Sequence, residues 1–195
     1  MTLMARKNEF KPDKPRSGLL SKLYLTQKQR MAILRWTLYS LLLLVLSVLQ
    51  DVMLCRVRIF GATTDLVPCG IFLICILNGM HQSCFFALMA SLFYLFSGTA
   101  PGPYCIALIV FISVLVTYFR QSFLQKSFSA VMLCITLAMA LYELTVFFAS
   151  LLMGLTVLKR VSVSGLTAGL TLLTAPALYP LVKAIGTIGG EIWKE

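Results

Sequence analysis

The stretch LVPCGIFLICILNGMHQSCFFALMASLFYLFSGTAPGPYCIALIVFISVLVTYF, residues 66–119, contains no Asp, Glu, Lys or Arg. A helix rises ~1.5 Å per residue and the hydrocarbon core of a bilayer is ~30 Å thick, so about 20 residues make one crossing. This run is too long for a single helix and must turn back on itself. Asn78-Gly79 through Gln82 marks one break. Ser97-Gly98-Thr99-Ala100-Pro101-Gly102-Pro103 marks a stronger one, because Gly and Pro together end helices. The division predicts helices near 66–80, 82–97 and 103–119. The first two, at about fifteen residues, extend roughly 22 Å, less than the hydrocarbon thickness. Either they cross a thinned bilayer or they form a re-entrant hairpin. Both arrangements return the chain to the same side.

The same reading extends in both directions. Upstream, the segment between Arg35 and Asp51 is uncharged, and its apolar character continues to Cys55. Thr26-Gln27-Lys28-Gln29 has the form of a capping box, which starts a helix near Gln27. Trp36 and Tyr39 suit an interfacial belt where that helix enters lipid. Downstream, residues 127–158 carry one charge, Glu143, and residues 161–182 carry none. The expected fold is an all-α integral membrane protein with six transmembrane helices. Residues 1–35 form a basic cytoplasmic tail, 36–185 the six-helix domain and 186–195 a cytoplasmic C-terminal tail.

Composition agrees with this class and excludes others. Of the 195 residues, 59% are hydrophobic and 12% charged, where soluble domains hold about a quarter charged residues. The mean hydropathy is +0.89. A soluble enzyme, a disordered tail and an ordinary nucleic-acid-binding module are all excluded. The net charge of +10 is concentrated at the start, where residues 1–35 hold nine basic and two acidic groups. Because that run abuts an apolar segment, its expected partner is an anionic leaflet, not nucleic acid. With six helices and a cytoplasmic N-terminus, thirteen Lys and Arg fall inside and four outside. This bias places both termini in the cytoplasm of a multi-pass protein. No small-residue cleavage site follows the first apolar segment, so it is expected to remain as an uncleaved helix.

Few residues invite chemistry. Glu143 lies inside a long apolar run, where a carboxylate costs about 2.5–3.5 kcal/mol on insertion scales and should face the protein interior. It reads as a proton or ion site, as an anchor for a partner helix, or as a buried structural hydrogen bond to a hydroxyl of the last helix. Structural or partner contact outweighs transport. Asp65, with Pro68 in the first turn, reads as an N-cap. Asp51 is placed to pair with Arg56 or Arg58. Gly165-Leu166-Thr167-Ala168-Gly169 is a GxxxG pair, and Ser83, Ala87 and Ser91 form a similar small-residue line; both suit close helix packing, internal seams before partner faces. Pro176 is expected to kink the last helix, with Thr hydroxyls satisfying the freed carbonyls. The six cysteines form no CxxC pair and lone His81 has no ligand set, so neither a metal nor a cofactor is expected. No GxSxG, HExxH or Walker-type loop occurs, and no catalytic residue is assigned.

The order of features resembles the MreD family of bacterial rod shape-determining membrane proteins. The resemblance runs over roughly residues 36–185. It rests on a short first helix, a loop with Gly61 and Asp65-Leu66, paired short helices ending in Ser97-Gly98, then Gly102, Tyr142-Glu143 in the fifth helix, and Pro176 with Tyr179 in the last. Tyr94-Leu95-Phe96 stands where that family commonly has an acid before Ser-Gly, so any role of the acid is absent. The basic tail is also longer than in that family. The resemblance implies a non-enzymatic scaffold of the cell-wall elongation machinery. Its implied partner is the bitopic protein MreC and, through it, MreB, RodA and a class B penicillin-binding protein that serve peptidoglycan synthesis. It also implies a fold like the substrate-capture subunits of energy-coupling-factor transporters. That likeness supplies a competing reading, capture of a solute, which needs convergent polar groups near the outer face. The charged candidates there are only Asp51, Arg56, Arg58 and Asp65, and this sparse inventory favours the scaffold.

Overall fold

Residues 66–77 have no polar face, and a helix that is apolar all round belongs inside a bundle. In the computed structural model, which describes residues 27–54, 61–123 and 127–188, this segment is α2 (Leu66–Leu77), and all twelve of its residues are buried. Around it stand α1 (Gln27–Leu49), α3 (Met80–Phe96), α4 (Tyr104–Phe123), α5 (Phe128–Leu152) and α6 (Val161–Gly186). A π-helical turn, Gln50–Leu54, extends α1, and a short 3-10 turn, Leu158–Arg160, leads into α6. Every element among the described residues is helical.

Side-chain contacts fix the direction of each helix. Gln50 at the end of α1 meets Val67 at the start of α2, and Cys75 near the end of α2 meets Ser83 at the start of α3. Cys105 at the start of α4 meets Tyr142 late in α5, and Glu143 meets Ser164 early in α6. The six helices therefore alternate up and down, with α2 in the middle. Four helical stretches, Gln29–Val52, Tyr104–Ser122, Phe128–Leu152 and Val161–Gly186, are long and apolar enough to cross a membrane. α2 and α3, with 12 and 17 residues, extend only about 18 and 26 Å at ~1.5 Å per residue.

A helix buried at both ends needs partners for its orphan backbone groups, and α2 borrows them from its neighbours. At its N-terminus the Val67 N–H donates to Gln50 Oε1 at 3.0 Å, and the Asp65 N–H donates to Thr171 Oγ1 of α6 at 3.0 Å. Pro68 has no N–H to satisfy. At its C-terminus, Asn78 Nδ2 donates to the Ile74 carbonyl at 2.7 Å. The Cys75 carbonyl accepts from Ser83 Oγ of α3 at 2.7 Å and Thr117 Oγ1 of α4 at 3.3 Å. Four neighbouring elements thus converge on one buried helix. Gly70 allows α1 to approach closely; a Cβ there would lie 2.8 Å from Leu46 Cδ1.

The structure corrects three details. Asp65 occupies the N-cap position of α2 but makes no side-chain cap bond; Gln50 has taken that role from α1. Tyr39 does not face outward as a belt residue would: it is fully buried, with its ring 6.1 Å from Phe86 and 5.7 Å from Trp36. α6 continues through both Pro176 and Pro180. The hydroxyls of Thr167, Thr171 and Thr174 bond to the carbonyls of Val163, Thr167 and Thr171, not to those of residues 172 and 176 that the prolines free. The helix boundaries otherwise lie within a few residues of those read from sequence. α3 ends at Phe96 with Ser97 as its C-cap, close to the expected stop, and Gly98 follows at φ +79°, a conformation glycine adopts without a Cβ penalty. The capping box begins at Thr26, and the pairing of Asp51 involves Arg56 and Arg58; Thr26 and both arginines lie outside the described residues, as do most of the N-terminal and C-terminal tails.

Candidate functional site

α6 sorts the candidate residues. Its buried positions, Thr171, Ala175, Leu178 and Val182, recur at three- and four-residue steps and share one face, which also carries Ser164 two turns before Thr171. The opposite face carries Gly165, Gly169 and Pro176, all exposed. Glu143 and Asp65 belong to the inner face, and the two glycines and Pro176 to the outer one.

The inner group is polar and enclosed. Ser164 Oγ donates to Glu143 Oε2 at 3.2 Å. This is a hydroxyl of the last helix holding the carboxylate of α5. Glu143 is buried, and its Oε1 has no hydrogen-bond partner among the described residues. Two turns further along α6, about 10 Å at ~1.5 Å per residue, Thr171 accepts from the backbone of Asp65. Tyr142, next to Glu143, is fully buried; its hydroxyl donates to Cys105 Sγ at 3.8 Å, and its ring lies 5.9 Å from Phe72 of α2. The group ties α2, α4, α5 and α6 together around one end of α2.

The outer face is open. A Cβ built at Gly165 or at Gly169 meets nothing within 4 Å. Among the described residues, therefore, nothing packs against the GxxxG pair as an internal seam would require. The inward seam is the other small-residue line: Ser83 and Ser91 of α3 are 1% exposed and Ala87 0%. This difference arises because α2 needs small neighbours on α3 to be surrounded at close range, whereas α6 meets α2 and α5 through its hydroxyl-bearing face. Pro176 lies on the open stripe. His81 is exposed in the first turn of α3, and Cys84 is exposed while Cys69, Cys75, Cys105 and Cys134 are buried as free thiols.

Compared with known protein families, characterised proteins and solved structures, the chain matches none.

Sequence reasoning did not single out Gln50 or Thr117, and it read Asn78 only as a helix break and Thr171 only as one of the hydroxyls near Pro176. The signal was present: an all-apolar twelve-residue helix demands that polar side chains elsewhere cap its ends.

Proposed function

We propose that this chain is a non-enzymatic membrane scaffold of the MreD type, which holds the single transmembrane helix of an MreC-like partner and so takes part in the cell-wall elongation complex that maintains rod shape. One observation carries the reading: among the described residues nothing packs against the Gly165–Gly169 stripe of α6, while Ser164 and Thr171, which bond Glu143 and Asp65, lie on the buried side of the same helix. In lipid, helices associate through close backbone approach at small residues, and an open small-residue stripe offers that approach to a second helix. In this proposal all six helices cross the bacterial cytoplasmic membrane, the arrangement is that of an energy-coupling-factor capture subunit, and both termini are cytoplasmic.

The test is co-purification of the full chain with an MreC-like bitopic protein, above all one encoded beside it and carrying a coiled coil. Stable capture that is lost in Gly165→Leu/Gly169→Leu supports the scaffold. Capture unaffected by that double variant, or a stoichiometric solute retained by the purified protein, would overturn it.

A further inference from the structure

A second surface is independent of α6. α1 and α3 run in the same direction on one side of α2. They touch where Arg35 Nη2 donates to Gln82 Oε1 at 3.3 Å and where the Trp36 and Phe86 rings approach to 5.3 Å. Beyond that contact a groove of about 870 Å³ opens between them. From His81 to Phe93 it extends about 18 Å at ~1.5 Å per residue. Its polarity is segregated along this length. Ser40, His81 and Gln82 line the end nearest Arg35, and Leu44, Met89 and Phe93, all exposed, line the rest.

Arg35 gives the polar end its character. Its guanidinium sits 5.6 Å from the Trp36 ring centroid, and its Nε is buried without a hydrogen-bond partner among the described residues. A buried unpaired donor is costly until an acceptor arrives. α3 begins at the same end, and its N-cap, Gly79, offers no side chain to the first-turn N–H groups, so the positive end of the helix dipole adds to the field there. The mid-section of an apolar transmembrane helix in the groove would bring backbone carbonyls already bonded within it. A phosphodiester brings free anionic oxygens to the guanidinium and hydrocarbon to the walls beyond.

We propose that the α1–α3 groove binds one anionic glycerophospholipid of the surrounding bilayer, with its phosphate at Arg35 and Gln82 and an acyl chain laid along Leu44, Met89 and Phe93. The polar end is the end at which α1 begins, the side of the basic segment.

The chain's two tryptophans allow a direct test. Trp193→Phe leaves Trp36, which lines the groove, as the only reporter. The full chain is reconstituted in phosphatidylcholine vesicles with a small fraction of brominated phosphatidylglycerol, or of brominated phosphatidylcholine. Per mole of brominated lipid, the anionic lipid is expected to quench Trp36 roughly fivefold more strongly, the equivalent of about one cation at an anionic surface. Arg35→Gln should bring the ratio near one, and the charge-matched control Lys22→Gln should leave it near five. Ser40→Phe, which obstructs the mouth with every charge intact, should also lower it, and helical circular dichroism should match the parent in each variant. A ratio near one in the parent overturns the proposal. So does a ratio that survives Arg35→Gln or Ser40→Phe, an equal loss in Lys22→Gln, or the absence of quenching by either lipid because a protein segment fills the groove.

Discussion

Replacing Gly169 by leucine separates the two roles a GxxxG pair can have. If the pair were an internal seam, the new side chain would drive two helices apart. A Cβ at Gly169 meets nothing within 4 Å, so leucine there projects outward and no contact within the chain is lost. Leucine also favours a helix over glycine by up to about 1 kcal/mol. The isolated bundle should be as stable as the parent or slightly more so, and Gly165→Leu/Gly169→Leu should behave in the same way. Ala87→Leu on α3 is the internal contrast: Ala87 is 0% exposed in the face turned to α2, and overpacking such a site costs about 1–3 kcal/mol. The partner assay should reverse the order. Losing close helix approach should weaken capture at least tenfold, the equivalent of ~1.4 kcal/mol. The measurements are thermal unfolding of the purified chain in detergent and titration with the partner's transmembrane segment. A thermal midpoint lowered as far in Gly169→Leu as in Ala87→Leu would refute the outward placement of the stripe. A stable Gly169→Leu protein with parental capture would refute its use as the partner face.

Three further outcomes follow from the interior. Thr171→Val keeps the volume near that of threonine but removes the acceptor for the Asp65 N–H; leaving that part-buried donor unpaired should cost about 1 kcal/mol or more in thermal or denaturant unfolding, and an unchanged midpoint would show that α2 does not depend on this cap. Glu143→Gln retains an oxygen for Ser164 and removes a carboxylate, so partner capture should stay at the parental level; a large loss of capture with the fold intact would mean that the charge itself is used. With Cys55→Ser as background, a small maleimide should label Cys84 in the folded protein and reach Cys69, Cys75, Cys105 and Cys134 only on unfolding; early labelling of Cys75, at the capped end of α2, would contradict the buried position of that helix.

The architecture was legible where chemistry acts locally. The uncharged run from Leu66, the Asn78-Gly79 break and the Ser97-Gly98 stop placed α2 and α3 to within a few residues, because apolar length and helix-breaking residues are properties of the chain itself. What was not legible depends on which face of a helix meets which neighbour. Ser83-Ala87-Ser91 and Gly165–Gly169 are both small-residue lines at helical spacing. The first faces α2 and the second faces away, and nothing in the spacing distinguishes them. Asp65 has the residue type of an N-cap, yet the cap of α2 comes from Gln50, seventeen residues before the Val67 N–H it accepts from, at the start of the π-helical turn. Tyr39 reads as an amphipathic belt residue but closes the core against Phe86. For Glu143 the sequence left three roles open; the position of Ser164 on α6 supplies the hydrogen bond that one of them required.

Photo-crosslinking from α6 in native membranes tests the central claim most directly. A photoreactive amino acid is placed at residue 169, on the open stripe, and separately at residue 171, on the buried face. The expected result is a crosslink from position 169 to a single-span protein with a coiled coil, and none from position 171. Lipid adducts alone at position 169, or the same protein adduct from both positions, would contradict it.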